Sequence, residues 1–405
     1  MKTMNELKAS PMLYLSGGSK ELFHSNFIAW FGNVYPAFFH DFINELIEDK
    51  FQGWDKGLED NTFHVKREFQ HFDICVIDKD GRIRLVIENK IKSIPTINQL
   101  EGYVNDVQKT NSKKTDEVPV AFILLSMNND FHDDNNIDVN TIGWIRVDFK
   151  KVSAALSKIK INDNYHQQLI DDYCRYVVNL QNAIEVCDRS DKLLLNDADE
   201  KVIKDLDIHD LCGKRRMQRF YQMVYNKLSK AYTFVGKRDE LRIGISKRYI
   251  YMDWGFSNSS SMLTIIFKTN KGDEAQIQIQ GQQYRHGIEI ADDQMEKLIT
   301  RNSKNKNDLS ETGKKYILEN YAEILLGKDA IKHYPTFSKN QKLGQREDYC
   351  KFAPKNQVNG KYLCLVYQYV KVSKDIEMNA LADEISKDLA DLWNTLCNNS
   401  IMSAK

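Results

Sequence analysis

The segment FQHFDICVIDKDGRIRLVIENKI, residues 69–91, decides both the fold and the site that we expect of this chain. It holds two strand-like runs, at 69–77 and 83–91, which are joined by the polar stretch DKDGR. Within that stretch, Asp80-Gly81 favours a two-residue type I′ turn, because this turn needs positive φ at both central positions. The segment is therefore predicted to form a β-hairpin.

The two-residue turn sets the register of the hairpin. Facing residues then have numbers that sum to 161, so Asp73 lies directly opposite Glu88. Since side chains alternate between the two faces of a strand, one face is apolar and the other polar. The predicted apolar face carries Phe72, Ile74, Val76, Leu85 and Ile87. The predicted polar face carries His71, Asp73, Glu88 and Lys90.

Two carboxylates that face each other on a sheet repel, because their Cβ atoms lie only about 4.5–5.5 Å apart. A cation is therefore expected between Asp73 and Glu88. Lys90 lies two residues beyond Glu88 on the same face and supplies one positive charge. A hard divalent cation beside Lys90 fits better, because Mg²⁺ is typically held by one or two carboxylates, water and a substrate phosphate. The predicted metal is Mg²⁺, with Mn²⁺ as the alternative, in a site suited to phosphate hydrolysis.

The spacing of these groups resembles that of a known nuclease family. Phe72-Asp73, a gap of fourteen residues and Glu88-Asn89-Lys90 are similar to the motif of the PD-(D/E)XK nuclease superfamily, which has the restriction-endonuclease-like fold. Phe72 replaces the proline of the nominal motif, which matters little because only the aspartate touches the metal. The resemblance is closest to a prokaryotic branch with an HS…D…IENK…QL pattern and covers about residues 15–180.

Two further segments carry the same resemblance. KELFHSNFIAWF at 20–31 looks like the family's first helix, and Gln99-Leu100 with Tyr103 looks like its QxxxY element. The resemblance implies these metal ligands: Asp73 and Glu88, with Glu68 as a weaker candidate. It implies these catalytic residues: Asp73, Glu88, the lysine Lys90, and Glu21 and Gln99 as supports of the metal or a nearby phosphate. His24 and His71 are interpreted as packing or surface histidines, because neither has a second ligand at helical spacing.

Strands interleaved with helices predict an α/β domain over residues 1–190, a restriction-endonuclease-like mixed sheet flanked by helices. Besides the hairpin, its predicted elements are a helix with Ser19 as N-cap, helices at 37–49, 96–109 and 165–185, and strands at 120–127 and 144–149. The polar stretch 187–201 is expected to connect this domain to the next.

Residues 200–405 predict a second, α+β domain, whose expected role is the recognition of a substrate or partner. Its predicted elements are helices at 210–232, 291–301, 310–326 and 378–397, and strands at 241–254, 262–269, 275–281 and 361–372. Basic residues interleave with aromatic ones at 328–355 and cluster at 214–219, as in surfaces that track nucleic acid. Solvated loop charges explain both runs as well, and we prefer that interpretation slightly.

The net charge, the cysteine pattern and the absence of long apolar runs bear on the kind of protein and its location. Lys+Arg and Asp+Glu are both 57, so no overall field attracts a polyanion, although acidic and basic sites of a nuclease cancel in such a total. The seven cysteines contain no CxxC pair, which favours reduced thiols over a zinc site. The chain has neither a membrane-spanning apolar run nor a secretory signal, so a cytoplasmic location is expected.

The resemblance implies a Mg²⁺-dependent deoxyribonuclease, with DNA as its expected partner in restriction, repair or defence against foreign DNA. No Walker A sequence is present. One alternative is a nuclease-like module that binds nucleic acid or protein without cutting. Another is a structural protein in which Asp73, Glu88 and Lys90 form a local ion-pair cluster. A homo-oligomer or a protein partner is compatible with all three hypotheses.

Overall fold

A computed structural model describes most of the chain, and the residues discussed below belong to it. The described residues are 2–17, 20–58, 62–91, 95, 97–114, 117–127, 139–244, 247–257, 260–290, 299–301, 307–309, 312–313, 315–316, 319–321, 351–358 and 361–398. The chain divides into two compact units. Unit 1 comprises Met1–Arg189 and Ala198–Cys212, and unit 2 comprises Ser190–Asp197 and Gly213–Lys405.

Unit 1 is built on a five-stranded mixed sheet in the order β1-β2-β3-β4-β5. The strands are β1 (Phe63–Phe69), β2 (Phe72–Asp78), β3 (Ile83–Lys90), β4 (Ala121–Ser126) and β5 (Ile145–Val147). The first three strands pair antiparallel, whereas β3, β4 and β5 pair parallel. The predicted mixed α/β sheet is confirmed.

Helices cover both faces of this sheet. The helices of the first 189 residues are α1 (Lys2–Ala9), α2 (Pro11–Leu15), α3 (Glu21–Val34), α4 (Pro36–Ile47), α5 (Ile97–Asn111), α6 (Phe149–Ser157) and α7 (Asn164–Asp188). Unit 1 also contains nearly all of α8 (Asp197–Asp205) and the first residues of α9 (His209–Leu228). The predicted N-cap Ser19 lies outside the described residues, and Lys20 precedes the first turn of α3. Gly32 lets α3 approach β1 closely, because an added Cβ would lie 2.5 Å from a Val65 methyl carbon.

The two faces of β2 and β3 pack against different helices. Cys75 and Val86 join a buried cluster with Leu100 and Val107 of α5. Phe72 belongs to that same cluster, so its predicted place on the face of Ile74, Val76, Leu85 and Ile87 is wrong. Phe72 sits at the beginning of its strand, directly after a turn, where simple alternation no longer decides the direction of the side chain.

The first hairpin was missed by sequence analysis, which predicted one strand over 69–77. Gln70 and His71 adopt φ of 51° and 78° between Phe69 and Phe72, which pair with each other. Positive φ at both central residues is the mark of a type I′ turn. Because the turn is made without glycine or asparagine, the sequence carries no strong signal for it.

The second hairpin has a longer turn than predicted. Gly81 has a φ of 76°, and Asp78 N donates to Arg82 O at 3.0 Å, which leaves three residues in the loop. Ile77 therefore pairs with Ile83, one residue away from the predicted register. A bulge then restores it. From Val76 to Ile74 the numbers of paired residues sum to 161, as predicted.

Unit 2 is built on a seven-stranded sheet in the order β13-β14-β10-β9-β8-β7-β6, beside a separate two-stranded sheet of β11 and β12. The strands are β6 (Thr233–Phe234), β7 (Tyr249–Ser257), β8 (Ser260–Lys268), β9 (Glu274–Gln280), β10 (Gln283–Ile290), β11 (Ile299–Arg301), β12 (Asn307–Leu309), β13 (Lys351–Val358) and β14 (Lys361–Lys371). One face packs on α9 and on α10 (Met378–Trp393) through a single buried core. The predicted α+β fold class of this C-terminal part is confirmed.

Several elements of unit 2 differ from the predictions. Residues 299–301 form a strand, so the helix predicted over 291–301 is wrong at its end, and 291–298 lie outside the described residues. The strand predicted from 241 begins at Tyr249. Residues 328–350 of the predicted basic run also lie outside the described residues. Within the described part of the chain, no helix is both long and apolar enough to cross a bilayer.

Candidate active site

The register of unit 1 brings carboxylates from three strands into one row. Ile74 pairs with Ile87, so Asp73 and Glu88 occupy the next position of the β2–β3 ladder. On the other side, the β1–β2 pairs at 67–74 and 69–72 bracket Glu68 and Asp73. The three acids therefore lie side by side at one end of the sheet. Lys90 follows two residues after Glu88 on the same face.

The two oxygens of the Glu88 carboxylate have different surroundings. Its side chain is 1% exposed, and Oε1 lies 2.6 Å from Lys90 Nζ. Gln99 Nε2 and Tyr103 OH approach the same oxygen from α5, at 3.4 and 3.5 Å. Oε2 is buried and makes no hydrogen bond with any described residue. A buried carboxylate oxygen without a partner is costly, so this atom is suited to a cation.

Asp73 is anchored beside Glu88 by the backbone. Its Oδ2 accepts a hydrogen bond from Asn89 N at 2.8 Å. Because Asn89 is the residue between Glu88 and Lys90, this bond ties the aspartate to the strand that carries both other groups. The relative position of the three side chains is thus determined by two paired strands rather than by a loop.

Asn89 also joins β3 to the first turn of α3. Its side chain is fully buried, and its Nδ2 donates to Glu21 O at 2.8 Å and lies 3.3 Å from Ser25 Oγ. Glu21 Oε1 in turn accepts from Ile91 N at 2.9 Å. Glu21 therefore holds the end of β3, where it also adds negative charge near Asp73 and Glu88.

Asn89 is a functional residue without a predicted role, although the sequence contains one signal for it. Leu85, Ile87 and Asn89 alternate along one face of β3, so a polar residue continues an otherwise apolar row. A buried amide in such a row needs hydrogen-bond partners. The partners come from α3, which is distant in sequence, and only the tertiary structure identifies them.

Burial and like charges raise the pKa values of both acids. For Glu88, burial is the main cause and the nearby Asp73 adds to it, so the pKa rises to about 7 despite Lys90. For Asp73, burial again raises the pKa, while the bond from Asn89 and the charge of Lys90 oppose the shift. Burial acts to lower the pKa of Lys90, but Glu88, Asp73 and Glu21 outweigh it and raise the value. The site holds more negative charge than one lysine neutralises.

The donor set fits a hard divalent cation. Among the described residues no group of three or more His, Cys, Asp and Glu side chains is arranged to hold a metal alone. Magnesium needs fewer protein ligands, because it keeps several waters and takes further oxygens from a phosphate substrate. Asp73 and the unpartnered Oε2 of Glu88 are the two carboxylate groups here that could hold such an ion.

The remaining predicted residues lie at different distances from this centre. Gln99 reaches Glu88, and its Nε2 donates to Tyr103 OH at 2.8 Å. Glu68 is exposed near the end of β1 with a φ of 50°, and its charge acts on Asp73. His71 is exposed in the first turn.

His24 is a packing residue. It is completely buried, its Nδ1 lies 3.0 Å from Tyr173 OH, and its ring contacts Phe149 and Tyr176. Burial lowers its pKa to about 3. The interpretation of His24 as a core histidine agrees with these contacts.

The basic cluster at 214–219 makes internal contacts. Arg216 is buried, and its Nε donates to Leu193 O at 3.3 Å. Arg219 forms an ion pair with Asp191 at 3.0 Å. Both arginines therefore have structural contacts within unit 2.

Residues 12–175 match the family model of the PD-(D/E)XK nuclease superfamily. The match confirms the resemblance found in the sequence and, together with the mixed five-stranded sheet, the restriction-endonuclease-like fold class. It indicates a nuclease-type function, the hydrolysis of phosphodiester bonds, for the N-terminal part of the chain. Neither the curated proteins nor the solved structures gave a match.

Proposed function

We propose, from the premise that residues 12–175 match a nuclease superfamily, that the protein is a divalent-metal-dependent nuclease that hydrolyses DNA with Mg²⁺. Asp73 and Glu88 are the proposed metal ligands, and Lys90 is the proposed catalytic lysine. The observation that carries the proposal is the asymmetry of the Glu88 carboxylate. Three donors surround Oε1, whereas Oε2 is buried without a partner in the described part of the chain.

The chain's own residues have separate tasks in this mechanism. Asp73 and Glu88 would hold the metal, whose chemistry when bound is to polarise a phosphate and to acidify a water. Lys90 holds its ammonium beside the ligands, where it orients the attacking water and stabilises the negative charge that develops on the phosphate. Gln99 and Tyr103 position Glu88 through its Oε1, which leaves Oε2 as the atom that would hold a cation.

Glu21 and Glu68 have supporting roles in the proposal. Glu21 positions β3 through Ile91 N and contributes charge, rather than serving as a metal ligand. Glu68 is exposed, its charge acts on Asp73, and it is proposed as the weaker candidate for a metal ligand. Restriction, repair and defence against foreign DNA would all use this activity.

The leading alternative is a nuclease-like module that binds nucleic acid without cutting. It is favoured by one observation, namely that no described group of three acidic, histidine or cysteine side chains can hold a metal alone. It is opposed by the grouping of Asp73, Glu88 and Lys90, since a module that only binds has no need for a buried Glu88 beside a half-buried Asp73, both with raised pKa values. An activity assay separates the two hypotheses.

The test is a cleavage assay on plasmid, linear and single-stranded DNA and on RNA, with Mg²⁺, Mn²⁺ or EDTA. We expect metal-dependent cleavage of DNA by the wild type and a loss of at least about 100-fold in rate for Lys90→Ala, the scale seen when one group that stabilises developing charge is removed. Lys109→Ala is the matched control, because Lys109 is exposed in the last turn of α5.

The outcomes of the cleavage assay distinguish the nuclease from the non-cutting module. Activity that survives in both Asp73→Ala and Lys90→Ala would remove the assignment of the site. Binding of DNA without cleavage under any metal would favour the non-cutting module. Cleavage of RNA alone would keep the site and correct the substrate.

A further inference from the structure

The second sheet has a polar face opposite its core. The core face holds residues such as Ile265, Ile277 and Ile279. Residues that alternate with them carry amides, charges and phenols on the other face. On β9 and β10 these are Gln276, Gln278, Gln280, Gln283, Arg285 and Glu289. Tyr367 of β14 pairs with Gly287 and lies on this same polar face.

Two arginines are associated with this face, and their surroundings differ in charge. Arg238 lies between two carboxylates, 2.7 Å from Glu289 and in contact with Glu274. Its charge is therefore neutralised within the protein. Arg285 has only neutral partners, because among the described residues no carboxylate lies within ion-pair distance of it.

Arg285 is held rigidly by those neutral groups. Its NH1 donates to Gln278 Oε1 at 2.6 Å, and its Nε donates to Gln283 Oε1 at 2.9 Å. NH2 donates to the same oxygen of Gln283 at 2.5 Å. The guanidinium also lies 4.6 Å from the centre of the Tyr367 ring, so its plane is supported by stacking.

The bracing groups are themselves fixed. Gln278 is buried, and its Nε2 donates to Thr264 Oγ1 at 3.2 Å. Gln278 Oε1 is therefore turned toward Arg285. Arg285 and Gln283 are half-buried, so solvent reaches this part of the face. The arrangement orients an arginine without cancelling its charge.

The free capacity of Arg285 defines the ligand. A guanidinium has five N–H donors and stays charged at all relevant pH values. Three donors are used by Gln278 and Gln283, which leaves one N–H on each terminal nitrogen without an acceptor among the described residues. These two N–H groups can each donate to an oxygen of a phosphate.

We propose that Arg285, braced by Gln278, Gln283 and Tyr367, binds a backbone phosphate of the nucleic acid on which the protein acts. The inference rests on the proposed nuclease function and assigns substrate binding to unit 2, outside the residues that match the nuclease family. A phosphodiester is the occupant because it brings the negative charge that the surroundings of Arg285 lack, and because every substrate of a nuclease presents it.

The test measures binding of a short labelled DNA duplex by fluorescence anisotropy, in EDTA so that nothing is cut, between about 50 and 200 mM KCl. Each phosphate contact contributes about 0.9 to the slope of log K against log salt. Arg285→Gln is expected to reduce the slope of the wild type by about 0.9, with the same loss for duplexes of different sequence. Arg242→Gln removes an exposed arginine of the same unit and should leave affinity and slope unchanged.

A second variant separates phosphate binding from a merely structural role. Arg285→Lys keeps the charge and loses the planar fork, so we expect a wild-type salt slope with weaker binding. This variant also keeps the proposal testable if Arg285→Gln does not fold. The proposal is overturned if Arg285→Gln binds with the slope of the wild type, or if Arg242→Gln loses as much of the slope. It is also overturned if inorganic phosphate stabilises the wild type through Arg285 while the duplex does not bind.

The outcomes distinguish this inference from the proposed function. If the wild type cleaves DNA through Lys90 but binds it without Arg285, only the present inference fails. If it binds DNA with a slope that depends on Arg285 but never cleaves, the nuclease assignment fails instead. If an acidic peptide, rather than a duplex, binds through Arg285, the surface belongs to a protein partner and the inference is wrong.

Discussion

Two sites, one in each unit, hold a local excess of charge, and the two are opposite in sign. In unit 1, Asp73 and Glu88 meet at a strand end with Lys90 as the adjacent cation, and Glu21 adds further negative charge. In unit 2, Arg285 lies among amides with no described carboxylate in ion-pair distance. The comparison teaches that local charge balance, rather than the total, indicates what each surface binds. An acidic excess fits a metal cation, and a basic excess fits a phosphate.

The overall composition conceals this separation. The chain has 57 basic and 57 acidic residues, which suggests no preference for any charged partner. Many charges in the described part of the chain pair locally, as Lys150 does with Glu185 and Arg238 with Glu289. Buried charge without a counter-ion is costly, so it is informative where it occurs.

The largest effect on stability should come from Arg238, whose balanced surroundings contrast with those of Arg285. Arg238→Gln leaves the buried Glu289 and Glu274 close together without their shared cation. We expect a loss of about 2–3 kcal/mol in the free energy of unfolding, below the usual range for a buried pair because Arg238 is partly exposed. Arg285→Gln should cost less than about 1 kcal/mol. Urea denaturation measures both, and equal losses would contradict the contrast.

Acid should destabilise the protein through one buried histidine, His24. His24 has no acidic partner among its described contacts, and burial lowers its pKa to about 3, whereas His286 lies 2.5 Å from Asp388. The unfolded state gains a proton below about pH 6.5 and the folded state does not, so stability falls as the pH drops from 6.5 toward 3.

The expected contribution of His24 is about 2 kcal/mol between pH 6.5 and 5, at about 1.4 kcal/mol per unit. His24→Phe keeps an aromatic ring and removes the titration. Its melting temperature should therefore decline less between these pH values than that of the wild type. A variant that declines just as steeply would show that His24 accepts a proton in the folded state.

The donors around Glu88 Oε1 allow a finer test of the acidic site. Gln99→Ala removes a contact to Glu88 and a hydrogen bond to Tyr103, and groups that position a metal ligand typically contribute about 10–100-fold. Both contacts to Glu88 are long, so we expect the lower end, about tenfold in kcat for Gln99→Ala. Tyr103→Phe should lose about threefold. Cleavage rates at saturating Mg²⁺ check the order of these two losses. The loss for Lys90→Ala should be larger than both.

The smallest effect tests the acidic excess directly. Asp73→Asn keeps an acceptor for Asn89 N and removes one of two facing negative charges, which destabilise by about 0.2–1 kcal/mol. We expect the variant to be more stable than the wild type by that amount in EDTA. The rise in melting temperature that Mg²⁺ gives the wild type should disappear in the variant. Loss of stability in EDTA would mean that Asp73 serves mainly as an ion-pair partner.

The failures of sequence-based prediction are as informative as the successes. The register of Asp73 and Glu88 was predicted although the turn was wrong, because a three-residue loop shifts the pairing by one and a bulge shifts it back. The first hairpin was missed because Gln70 and His71 form its turn, and neither is the glycine or asparagine that usually predicts positive φ. Local turn chemistry is thus a weaker guide than the apolar pattern that the core enforces.

The sequence by itself determined the strands that carry Asp73, Glu88 and Lys90, their shared face and the family resemblance of residues 12–175. These features depend on the spacing of residues along one hairpin, and the order of residues gives that spacing directly. Only the tertiary structure decided that Glu88 Oε2 is buried without a described partner and that Arg285 has amides around it instead of acids. Both facts depend on groups brought together from separate strands and helices, and an ion's surroundings, unlike its spacing, exist only after the chain has folded.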